Sequence, residues 1–136
     1  MRPLFFVFFW FILPFAVQNA FAVECNRKDQ TQFGLDVCAD ADYKAADQKL
    51  NRTYGRIMKR LAGDHDTAKL LQASQRAWIA FRDAECNFRT NASKEGSIYP
   101  MEVSLCLRDL TEARTKALDA YLHCGEGDPS CPVPAQ

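Results

Sequence analysis

The sequence predicts an all-α fold, an antiparallel three-helix bundle stapled by disulfides. Between residues 31 and 122 apolar residues recur at intervals of three and four, and no alternating run is long enough for a sheet. Two breaks rich in glycine and polar residues, at 63–66 and 91–100, divide that stretch into three helical lengths. Six cysteines follow an apolar leader, the pattern of an exported chain held by three disulfides.

The leader occupies residues 1–22. Arg2 is its lone charge, Leu4 to Val17 is almost wholly apolar, and Ala20-Phe21-Ala22 has the small-x-small pattern of a signal-peptidase site. The expectation is a signal peptide cut after Ala22, with the mature chain starting at Val23. A membrane anchor fits less well, because the apolar run is short for a span. Lipidation of Cys25 is rejected, since Glu24 stands where lipidated cysteines have a small residue.

Cleavage removes one of the 17 basic residues and none of the 17 acidic ones, leaving a net charge of −1. That balance gives no basic excess for nucleic acid, and after cleavage no segment is left for a membrane. The expected location is the periplasm or the exterior. Three units are expected: the leader 1–22, a helical domain 23–124 and an irregular tail 125–136.

Within the domain, residues 23–30 read as a polar, extended arm. Thr31 is a good N-cap for a first helix running to about Ala62. Its inner stripe reads Cys38, Ala41, Ala45 or Ala46, Leu50, Tyr54, Ile57, Met58 and Leu61, with Gly34 and Gly55 as blemishes. Gly63 suits a left-handed position after that helix, and Asp66 suits the cap of the next.

The second helix, about Thr67 to Thr90, carries the only tryptophan of the mature chain. Leu71, Ser74, Trp78, Phe81 and Phe88 fall on one face with Ala77 and Ala84 beside them. Trp78 and Phe81 supply the largest apolar area and are expected at the centre of the bundle. A loop from Asn91 to Pro100 follows. The third helix, about Met101 to Leu122, buries Val103, Cys106 or Leu107, Leu110, Ala113, Ala117, Leu118 and Tyr121. The tail from Gly125, with three prolines and two glycines, is expected to be irregular.

In an up-down-up bundle the start of the first helix, the end of the second and the start of the third share one end. Cys86 and Cys106 lie at similar heights there, Cys25 folds back towards Cys38, and Cys124 with Cys131 closes the tail. A competing arrangement exchanges partners among Cys25, Cys38, Cys86 and Cys106, and chain position alone does not choose between them. A metal site is the weaker use of these thiols. There is no Cys-x-x-Cys pair, and His65 and His123 have no ligand cluster.

Catalytic patterns are absent from the reading. The histidines have no placed serine or thiol beside them, and no phosphate-binding glycine loop or zinc-protease helix motif occurs. The carboxylates Asp40, Asp42, Asp47, Asp83, Glu85, Asp109 and Glu112 mostly have basic neighbours and read as solvated helix faces. No cofactor is expected. Arg76, Arg82 and Arg114 lie near the aromatic cluster and read first as interhelical clamps, Arg82 with Asp47 or Asp109, and second as a ligand groove completed by Tyr99.

The strings Thr31-Gln32, Cys38-Ala39, Ala46-Asp47-x-x-Leu50-Asn51-x-x-Tyr54, Gln75-Arg76-Ala77-Trp78-x-x-Phe81-Arg82-Asp83-x-x-Cys86 and Cys106-Leu107-x-x-Leu110-Thr111-x-x-Arg114 run from Cys25 to Leu122. Together they resemble the LprI-like lysozyme-inhibitor family of secreted or periplasmic bacterial helical proteins. The resemblance implies a framework of Cys25, Cys38, Cys86 and Cys106, to which Cys124 and Cys131 are an addition. It implies lysozyme, or another envelope protein, as partner, and transfers no inhibitory residue by position. Two segments qualify as the contact. Ser93 to Tyr99 offers Ser93, Glu95, Ser97 and the aromatic Tyr99, and is preferred over Glu126 to Ser130, an acidic stretch of the tail.

Overall fold

The computed structural model describes residues 23–125 and 127–134. The expected leader and cleavage site, residues 1–22, lie outside the described residues, as does Glu126. Three long helices and no strand make up the described chain: α1 (Gln32–Arg60), α2 (His65–Arg89) and α3 (Tyr99–Ala120), with a 3₁₀ turn at Asn91–Ser93.

Helix α1 starts as its sequence demands. The Thr31 side chain accepts the Gly34 N–H at 3.1 Å, and Lys59 and Arg60 in the last turn suit the negative end of the helix. Asp64, not Asp66, caps α2, accepting the Thr67 N–H at 3.0 Å. The helix therefore begins at His65, two residues earlier than expected. Gly63 is not left-handed; among the described residues only Gly127 has positive φ. The turn closes without it, through the Asp64 N–H donating to the Leu61 carbonyl at 2.9 Å. Helix α3 also starts two residues early, because Pro100 fits its first turn, where a missing N–H costs nothing.

The core is built by α1 against α3. Leu50, Ile57, Leu61, Leu118 and Leu122 are buried at one end, joined by Ala68 of α2 and by Val133 of the tail. Three buried threonines, Thr53, Thr111 and Thr115, complete the seam between α1 and α3. Leu50, Ile57 and Leu118 were expected inside; the threonines were not, and Ala113 and Ala117 are exposed. Cross-contacts fix which parts meet. Arg60 donates to the Leu122 carbonyl at 2.9 Å, Arg56 pairs with Asp119 at 3.7 Å, and Arg82 of α2 approaches Asp47 of α1 at 3.9 Å.

Helix α2 is turned differently from expectation. The face it gives to the core carries Ala68, Leu71, Trp78, Arg82 and Cys86, of which Ala68, Arg82 and Cys86 are buried and Trp78 half-buried. Phe81 is 55 % exposed and Phe88 79 %, so neither is central. The physical reason is that α2 has two apolar stripes. The inner one wins because the Cys86–Cys106 bridge, the Trp78 ring and the Arg82 guanidinium all lie on it.

Candidate functional site

The cysteines pair as Cys25–Cys38, Cys86–Cys106 and Cys124–Cys131, with Cα separations of 4.7, 5.7 and 5.9 Å. The middle bridge ties the last turn of α2 to α3 and sets the mouth of the loop between them. Thr90 seals that corner: its hydroxyl donates to the Cys86 carbonyl at 2.8 Å, and it is buried.

Beyond Thr90 the loop is held by its own backbone. Ser93 N–H donates to the Thr90 carbonyl at 3.1 Å, Gly96 N–H to the Ser93 carbonyl at 2.7 Å, and Tyr99 N–H to the Gly96 carbonyl at 3.2 Å. The Ser93 hydroxyl reaches both the Thr90 carbonyl, at 3.0 Å, and the Glu102 carboxylate, and its single proton serves one or the other. Ser93 is thus half-buried and engaged within the chain. Glu95, Ser97 and Ile98 face solvent, and Tyr99 is half-exposed at the start of α3. Ile98 lies within the expected segment but was not singled out there, and its apolar side chain is exposed in an otherwise polar loop.

The three arginines do not form one site. Arg82 is buried, its guanidinium 5.2 Å from the Trp78 ring centre and 5.7 Å from that of Tyr43. It also donates to Asp83 at 2.8–2.9 Å. Arg114, from α3, lies 6.0 Å from the Trp78 ring and donates to Gln75 and Ser74, both at 3.1 Å. Trp78 is therefore held by two guanidiniums, one from its own helix and one from α3, which is clamp geometry. Arg76 is exposed. It lines a groove of about 370 Å³ between α1 and α2 with Asn51, Tyr54, Gln72 and Trp78; Tyr99 and Arg114 are not part of its wall.

The remaining charges are spread along the helix faces. Arg27 on the arm pairs in bidentate fashion with Asp42 of α1, and hydrogen bonding from Arg27 holds the Asp42 carboxyl below the usual range. Asp109 pairs with the adjacent Arg108 at 2.7 Å rather than with Arg82. His65 opens α2 at the surface, and His123 lies against the Asp119 carbonyl at 2.8 Å. No group of three or more potential metal ligands occurs among the described residues. No described helix is long and apolar enough to cross a membrane.

The tail is irregular but anchored. Cys124–Cys131 closes a short loop, Ser130 N–H donates to Asp128 at 2.8 Å, and Val133, 3 % exposed, enters the core. Nothing in the tail's composition signalled that anchor.

Residues 24–118 match the profile of the family described as Lysozyme inhibitor LprI. Similar chains include Uncharacterized protein R02472 of Rhizobium meliloti (strain 1021), 39 % identical over 111 residues, covering 74 % of this chain and 80 % of that one. Uncharacterized protein YecT of Escherichia coli (strain K12) is 29 % identical over 119 residues, covering 77 % and 74 %. No solved structure matches the chain. The matched span holds all three helices apart from the last two residues of α3, and stops short of the Cys124–Cys131 tail.

Proposed function

The chain belongs to the LprI lysozyme-inhibitor family, and from that premise we propose that it inhibits a lysozyme in the periplasm or outside the cell. It acts by protein–protein contact and performs no chemistry of its own. The observation that carries this reading is the family match across the helical domain. The loop at the bridged end of α2 and α3 supplies a physical route. Glu95, Ser97, Ile98 and Tyr99 are presented on a segment already held by the Cys86–Cys106 bridge and by its own hydrogen bonds. Such preorganisation lowers the ordering cost of binding. Tyr99 and Ile98 serve as anchors in a cleft, and Glu95 pairs with a cation at its rim.

A ligand groove beside Arg76 is the second reading, supported by the space between α1 and α2. It has less behind it, because Arg82 is already engaged by Asp83, Tyr43 and Trp78. The deciding experiment is titration of the purified protein against lysozymes of several types, following cell-wall lysis and binding together. Binding with loss of lysis is the expected result. No binding to any of them removes the inhibitor reading. Binding that is unchanged by Glu95→Ala and Tyr99→Ala keeps the inhibitor and discards this loop.

A further inference from the structure

Among the described residues, the outer stripe of α2 carries three of the seven exposed large hydrophobic side chains. At 100° per residue, Leu70, Phe81 and Phe88 fall within about 20° of one another, and they are 71, 55 and 79 % exposed. Ala77 and Ala84 lie beside them and are exposed too. Single exposed hydrophobes need no explanation, but a continuous stripe of this kind does. From Leu70 to Phe88 it runs about 27 Å at helical rise.

The stripe is arranged symmetrically along the chain. Leu70 and Phe88 stand equally far from Ile79 on either side, as do Ala77 and Phe81. Ala73 and Ala84, and Ala77 and Ala80, are likewise centred half a residue from it. We propose that a second copy of this chain docks on the stripe, the two α2 helices crossing in opposite directions about a two-fold axis level with Ile79. Phe88 of each copy then packs on the other's Leu70, and Phe81 on the other's Ala77, so each large side chain meets a complementary position. A surface that complements itself under a two-fold rotation is what an isologous dimer requires. The two rings alone offer roughly 200–300 Å² per copy. With Leu70 and the alanines, two copies approach the low end of stable interfaces, about 1,200 Å². The dimer is therefore a weak one, in exchange with monomer.

Sedimentation equilibrium tests this on the exported product of the full chain. Wild type is expected to show a reversible monomer–dimer equilibrium. Phe81→Glu and Phe88→Glu are each expected to weaken it at least tenfold, while circular dichroism shows unchanged helicity, since both positions are solvent-facing. Phe33→Glu, an exposed ring on α1, is the control and is expected to leave the dimer intact. A monomer at every concentration overturns the proposal, as does a dimer indifferent to both α2 substitutions. A monomer that instead partitions onto anionic vesicles through Phe81 and Phe88 assigns the stripe to a lipid surface and also overturns it. Lysozyme binding is measured separately on the same variants, so failure of the dimer leaves the inhibitor reading untouched.

Discussion

Arg82 shows how a charged side chain becomes part of a core. Its guanidinium is desolvated between two rings, yet its carboxylate partners Asp47 and Asp83 stay partly in water. Removing it leaves no orphaned buried charge, so the loss is packing and stacking. Arg82→Ala is expected to cost about 2 kcal/mol in urea unfolding, and Arg82→Lys to recover little, because an ammonium lacks the planar fork. Two glycines make a sharper pair. A Cβ at Gly34 would stand 2.7 Å from the Asp29 carbonyl oxygen, where the arm crosses α1, whereas at Gly55 nothing lies within 4 Å. Gly34→Ala is expected to destabilise, and Gly55→Ala to stabilise by about 0.5–1 kcal/mol; thermal melts of both decide it. Thr111 is fully buried, and its hydroxyl has no hydrogen-bond partner among the described residues. Thr111→Val is expected to raise stability by about 1 kcal/mol, since it removes an unpaired polar atom at constant shape.

At the scale of elements, the caps and the arm set the acid response. Hydrogen bonds hold Asp42 (from Arg27), Asp64 (from the Thr67 side chain and N–H) and Asp29 (from the Thr31 side chain and N–H) below the ordinary carboxylate range. The folded chain therefore binds fewer protons than the unfolded one near pH 4. Its stability is fully present above the unfolded carboxylate values and is lost as pH falls through the lowered folded ones. Urea midpoints should be level between pH 7 and about pH 5 and fall below about pH 4, and Asp42→Asn should blunt that fall. The Thr31 cap and the three helices were legible because both follow from local chemistry, a threonine beside a polar arm and apolar residues at helical period, whereas the α2 cap was expected at Asp66 and lies at Asp64. The facing of α2 was not. Periodicity reports that a stripe exists, and here two stripes compete, one of them containing an arginine that counts as polar until its rings are known. Val133 was hidden for a related reason, since a lone valine between prolines has no period to read. Within the candidate loop, Glu95, Ser97 and Tyr99 were named from composition, and all three are exposed or half-exposed. The engagement of Ser93 with Thr90 and Glu102 depends on how the chain turns back, which composition does not encode.

For the whole molecule, charge decides how the proposed inhibition works. If cleaved after Ala22, the chain carries a net charge of −1, and its acids and bases alternate along the helix faces as short local pairs. Such a surface projects little field beyond a Debye length, about 10 Å at 0.1 M salt. On the proposed function, encounter with a cationic lysozyme is then weakly steered, and affinity comes from fitted contact at the proposed loop, Ile98 and Tyr99, rather than from attraction at a distance. Association rates measured by stopped flow between 0.05 and 0.5 M salt are accordingly expected to change by no more than roughly threefold. Tyr99→Ala is expected to act mainly on dissociation, as loss of a buried anchor does. A steep salt dependence would contradict this picture and point to a strongly charged contact. The acidic stretch from Glu126 to Ser130 would then be the first segment to test, by replacing Asp128 with Asn and repeating the salt series.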